Sequence, residues 1–203
     1  MQVNLEALDF TIPAAGRRLR VIEVIPDQIV TRGLTEAAPT KDADVVSDVS
    51  RDLLKVAVVE RHTGSGRIGI GMVRGLGLKR GALASSIAHD SHNIIVAGVV
   101  DADLRAAAAA VAAMGGGLAV AAGGRIVAQL PLPVAGLMSL QPLSQVSAAM
   151  DRLVRTAREL GSALPDPFMT LSFLALPVIP ELRITDQALV DARRFMPVPL
   201  FVD

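Results

Sequence analysis

Between residues 53 and 100 the chain runs "LLKVAVVER", "RIGIGMV", "GALASSIA" and "NIIVAGVV" in close succession, separated by glycine-bearing turns such as "HTGSG". Short apolar runs rich in branched side chains, bounded by turn residues, read as strands. The links between them decide how they pair. A parallel crossover needs a dozen or more residues, and these links are shorter, so most of the strands must pair antiparallel. The first two runs, 53–61 and 67–73, are close enough to form a hairpin.

The flanks add a strand at "RRLRVIEVI" after a lead-in over residues 1–20, then a charged, aperiodic stretch at 31–44 that is expected to be a flexible loop. Asp101 is placed to cap an Ala-rich helix over 102–114, with Gly115 at its end. "LAVAAGGRIVAQL" signals a hairpin around Gly123 and Gly124. A second helix is predicted from Pro142 to Gly161, with Leu143, Val146, Met150, Leu153, Val154, Ala157 and Leu160 on one face. Asp166 and Pro167 then open a third helix, which should be buried on most sides and break at Pro177; "PFMTLSFLALPVIP" as a whole reads as core. The tail "FMPVPLFVD" looks like an extended edge segment, because its prolines remove alternate donors. Together these elements predict a single α+β domain over 1–203, a mainly antiparallel or mixed sheet packed with about three helices, and no (β/α)8 barrel.

Composition narrows the functions such a domain can have. With 51% apolar residues, disorder is excluded. Twenty basic residues balance twenty acidic ones and only 2% are aromatic, so neither a global field nor stacking platforms favour nucleic acid. Absence of cysteine removes disulfides, thiolate metal sites and cysteine nucleophiles, and fits a reducing cytoplasm. Two long uncharged stretches are interrupted by glycines or prolines, so no membrane span is expected, and the N-terminus lacks a secretory pattern.

"GLGLKRG" is not a phosphate loop: its third glycine falls one position late for the dinucleotide fingerprint, and strand rather than helix follows. "ASSIAHDSHN", residues 84–93, is the one cluster of chemistry-bearing side chains. His89 and His92 are weak candidates for a metal pair, with His62 or Asp90 as a third ligand, but neither the spacing nor the third donor is a recognised pattern. A Ser-His-Asp triad is formally available, yet no nucleophile elbow exists and adjacent residues cannot easily face one atom. The other reading is a turn in which His89, Asp90 and Asn93 hydrogen-bond one another and the backbone. A site completed by something outside the chain is equally compatible with the spacing.

"DLLKVAVVERH", "GLGLKRGALASSIAHDSHNIIVAG", "GGGLAV", "LPLPVAGLMS", "DPFMTLSFLALPVIPELRITDQALVD" and "VPLFVD" together resemble, in order from Phe10 to Asp203, the C-terminal domain of bacterial adenine deaminases. The resemblance implies an amidohydrolase-superfamily enzyme that converts adenine and water to hypoxanthine and ammonia. Such enzymes use a divalent metal, here manganese, iron or zinc, to lower the pKa of an attacking water. The family holds that metal in a (β/α)8 barrel with a His-x-His pair. This chain has no His-x-His and only three histidines, so a barrel domain or subunit is the implied partner and the chain alone is expected to bind no cofactor. His89, Asp90, Ser91, His92 and Asn93 become the expected lid residues, contacting the purine rather than ligating metal. The alternative is a standalone module that binds a purine-like molecule or assembles with itself, without catalysis.

Overall fold

The computed structural model describes residues 1–202. The elements are β1 (Arg18–Val24), β2 (Thr31–Ala37), a small pair β3 (Thr40–Lys41) and β4 (Asp44–Val45), then β5 (Leu53–Val59), β6 (Ile68–Arg74), β7 (Ala82–Ser85) and β8 (Ile94–Gly98). Helix α1 (Asp101–Ala113) leads to the hairpin β9 (Gly117–Ala122) and β10 (Arg125–Pro131). Helices α2 (Leu143–Glu159) and α3 (Pro167–Phe173) precede a small sheet of β11 (Leu182–Ile184), β12 (Leu189–Asp191) and β13 (Met196–Val198). The main sheet has eight strands in the order β10-β9-β7-β8-β5-β6-β1-β2, open at both ends, and only β1 with β6 runs parallel. The fold is α+β with three helices and a mixed sheet, and contains no closed barrel among the described residues.

Side-chain alternation along β5 explains the layering. Ala57 and Val59 face one side of the sheet, where Leu104, Ala107, Ala108 and Val111 of α1 meet Ala82, Ala84, Ala119 and Ala121. Small residues on both surfaces let helix and sheet approach closely. Leu8 and Phe10 of the lead-in join this cluster. Leu54, Val56 and Val58 face the opposite side and pack with Leu153 and Ala157 of α2, Phe168 and Leu171 of α3, and Leu182, Ile184 and Leu189 of the small sheet. There the sheet-to-sheet approach depends on a glycine. A Cβ at Gly69 would lie 1.9 Å from the Thr185 carbonyl oxygen, so backbone rests directly on backbone.

Four expectations need correction. Residues 31–44 are not an aperiodic loop: Thr31–Ala37 pairs with β1 along its whole length, and Thr40–Lys41 pairs with Asp44–Val45. An edge strand facing water needs no apolar alternation, because backbone pairing alone defines it. Asp101 does not cap α1; it is the first helical residue, after Val100, and its carboxylate is held by the buried Lys55 ammonium. Leu143 is 84% exposed, because the apolar face of α2 meets the core only from Val146 onward. Met169 and Val178 are 50% and 56% exposed, so "PFMTLSFLALPVIP" is core at Pro167, Phe168, Leu171, Ser172 and Leu174–Leu176 but not at Met169 or beyond Pro177. The proline-rich tail does form an edge strand, β13, on β12. No helix among the described residues is long and apolar enough to cross a membrane.

Candidate functional site

The link from β7 to β8 carries the histidine cluster, and its geometry follows from how both ends are buried. Ser85 and Ser86 leave the sheet fully covered, and Asn93 re-enters it covered, while Asp90 and Ser91 at the tip are exposed. His89 and His92 lie half-buried between these levels. The His92 backbone adopts a left-handed conformation, φ 51°, and its N–H donates to the Ala88 carbonyl at 2.7 Å, closing the turn. The His89 N–H donates to the Ser172 carbonyl of α3 at 3.2 Å. Its imidazole packs on Phe173 with ring centroids 4.9 Å apart and meets His92 edge-on at 5.4 Å. Neither ring nitrogen of His89 has a hydrogen-bond partner among the described residues.

His92 is better determined. Its Nδ1 accepts from the Ala88 N–H at 3.3 Å, which leaves Nε2 as the donor of the neutral ring. Burial, then the neighbouring His89 and Arg61, hold its pKa below the ordinary 6.5. His62 Nε2 donates to the Ser91 carbonyl at 2.8 Å, bringing all three histidines to one end of the sheet. Asn93 is no part of the exposed tip: its Oδ1 accepts from the Arg61 backbone N–H at 3.2 Å.

The turn is therefore locked at its base and open at its tip. Two clefts flank the tip. One, of about 430 Å³, lies between Asp90 and Ser91 on one side and Thr185, Asp186 and Ala188 of the turn between β11 and β12 on the other. The other, of about 460 Å³, is lined by Arg61, His62, Ser91, His92, Ala135 and Leu137. Together they place a neutral imidazole donor, a carboxylate and a hydroxyl around accessible space.

His62 Nε2 and His92 Nδ1 are each engaged by a backbone group, and no group of three or more His, Asp or Glu side chains gathers around one point among the described residues.

Two neighbours escaped sequence reasoning. Glu60 is buried, and its carboxylate accepts from the Thr63 hydroxyl and amide at 2.7 and 2.8 Å, from the Ser65 hydroxyl at 2.9 Å, and from the His62 amide. Burial pushes this carboxyl up, but the Thr63 hydroxyl, the two amides and Ser65 outweigh it and hold its pKa down to about 2. Arg61 is also buried, with its guanidinium on the His92 and Ala135 carbonyls. The one signal for both was adjacent charges at the end of an apolar run in "VVERH".

A family model described as the adenine deaminase C-terminal domain matches residues 28–196. The chain is 59% identical over 201 residues to an adenine deaminase of Desulfatibacillum aliphaticivorans, covering 99% of this chain and 35% of that protein. It is 52% identical over 194 residues to an adenine deaminase of Methanothrix thermoacetophila, covering 96% and 34% respectively. An adenine deaminase of Dehalococcoides mccartyi is 50% identical over 191 residues, 94% of this chain and 34% of that protein. The chain thus spans about a third of the length of the curated relatives it matches.

Proposed function

Because the chain belongs to the adenine deaminase C-terminal domain family, we propose that it is the covering domain of an adenine deaminase, closing over a purine held by a (β/α)8 barrel domain or subunit. The complete enzyme would hydrolyse adenine to hypoxanthine and ammonia in the cytoplasm. The observation that carries the reading is the Asp90–Ser91 tip, exposed between two clefts while its base is fixed to α3 and β5. A tip of this kind can exclude water and offer polar groups to a planar heterocycle.

In this reading the His92 Nε2–H donates to a ring nitrogen of the purine, and the Asp90 carboxylate accepts from its exocyclic amine. The divalent metal, manganese, iron or zinc, is assigned to the barrel, as the family resemblance implies. This domain's part is to orient the base and shield it.

The test joins this chain to the barrel portion of one of its relatives and compares His92→Ala and Asp90→Ala with the parent. Each should lower turnover at least about tenfold, near 1.4 kcal/mol in the barrier, with little change in melting temperature. Full turnover together with a marked loss of stability would make the turn scaffold. A chain that binds purine with no barrel present would instead favour a standalone binding module.

A further inference from the structure

We infer that Arg61 is a positioning residue for the β7–β8 turn: its guanidinium sets the height of the Asp90–Ser91 tip by holding two carbonyls of different loops, that of His92 at the turn's base and that of Ala135. The inference rests on the covering-domain reading for its catalytic consequence, and on geometry alone for the positioning itself.

Arg61 follows β5 at the end of the sheet and is 7% exposed. Among the described residues no carboxylate pairs with it, although Glu60 adjoins it in sequence, because Glu60 is spent on the 62–65 loop. A buried cation is costly unless hydrogen bonds replace its water. Here Nε donates to the His92 carbonyl and Nη2 to the Ala135 carbonyl at 2.9 Å, while the backbone N–H donates to Asn93 Oδ1 at 3.2 Å. One residue therefore grips the turn at two successive positions and ties it to the loop after β10.

That second loop is shaped to receive it. A Cβ at Gly136, where φ is +76°, would lie 2.7 Å from Nη1, so a glycine stands where the guanidinium passes. From the other side, the Ser86 hydroxyl donates to the Gly136 carbonyl at 2.5 Å and accepts from the Gly117 N–H at 2.8 Å. The two loops are thus joined at Ser86, where the turn begins, and at Arg61, where it ends. A planar fork with donors pointing in different directions can serve two carbonyls at once, which an ammonium on a flexible stem cannot do with the same geometry.

The experiment has two arms. In the 203-residue chain, Arg61→Lys should keep the charge and the fold but speed amide exchange across Asp90–Asn93 at least about tenfold, and shift the His92 ring resonances. In the barrel-joined enzyme, Arg61→Lys should lower kcat at least about tenfold with KM changed less, and added guanidinium should restore part of the kcat lost in Arg61→Ala. If Arg61→Ala does not fold, Arg61→Lys alone decides. Wild-type exchange rates in Arg61→Lys would overturn the inference, even where His92→Ala and Asp90→Ala slow turnover. Faster exchange with full turnover in those two variants would uphold Arg61 as the turn's anchor and overturn the covering-domain reading instead.

Discussion

The Lys55 ammonium lies 2.8 and 2.9 Å from the two carboxylate oxygens of Asp101, and 2.8 Å from the Phe10 carbonyl, so one buried cation joins β5, the first turn of α1 and the N-terminal lead-in. The two partners are unequally placed, with side-chain exposures of 4% for Lys55 and 45% for Asp101. Removing the acid strands a charge in the interior, whereas removing the base returns a carboxylate to water and orphans one carbonyl. Asp101→Ala should therefore cost about 3 kcal/mol and Lys55→Met about 1 to 2 kcal/mol, measured by urea unfolding. The reverse order would mean that the pair's energy does not lie in desolvating the ammonium.

Helix α3 gives a contrast within one element. Leu171 and Leu174 are buried while Met169 is half exposed. Truncation to alanine should cost about 2 to 5 kcal/mol at each leucine and well under that at Met169. Similar losses at all three would mean that α3 detaches before the rest of the fold.

Acid should weaken the protein in two windows. The Glu60 carboxyl has a folded pKa of about 2 against an ordinary 4.5, so the unfolded chain binds the extra proton first. Its contribution, no more than about 3 kcal/mol, is complete above the unfolded value and is lost as pH falls from 4.5 toward 2. His92 is shifted down from 6.5, so the unfolded chain again takes the proton first and stability declines as pH drops below 6.5. Glu60→Gln should flatten the lower window and His92→Gln the upper one in stability-versus-pH curves. A Glu60→Gln curve parallel to the parent's below pH 4.5 would contradict the hydrogen-bonding account.

Glycine substitutions should separate space from backbone strain. Gly69→Ala would drive a methyl into the Thr185 carbonyl and should cost at least about 2 kcal/mol. Gly123, with φ +63° and nothing within 4 Å of a built Cβ, should lose only about 1 kcal/mol on the same change. Equal melting temperatures for the two variants would show that the small sheet can slide.

How much of this was legible in the sequence depends on what each residue answers to. The β5–β6 and β9–β10 hairpins, and α1, were readable because apolar runs and glycine turns report burial locally. β2 was not, since "TRGLTEA" holds its place through backbone pairing to β1 and through Thr31 and Gly33 hydrogen bonds to residues 180–182, which leave no apolar pattern. Three-residue strands such as β11 are too short for any period to register. At the site, the histidine cluster was visible as composition. Arg61 was not, because two carbonyls contributed by distant loops leave no mark in the side-chain pattern. Asp101 was misread for a related reason: a cap and an ion-pair partner share one residue type, and only Lys55, 46 positions away, distinguishes them.

The contact of Gly69 with Thr185 reaches beyond packing. The Thr185–Ala188 segment forms one wall of the cleft whose opposite wall is Asp90 and Ser91. Seated on main-chain atoms with no intervening rotamers, it behaves as the fixed jaw of a vice. Under the covering-domain proposal, adjustment of that gap to a guest falls to the Asp90–Ser91 jaw, so substitutions in the small sheet should change which guests fit, and substitutions at the base of the turn should change how fast the jaws close.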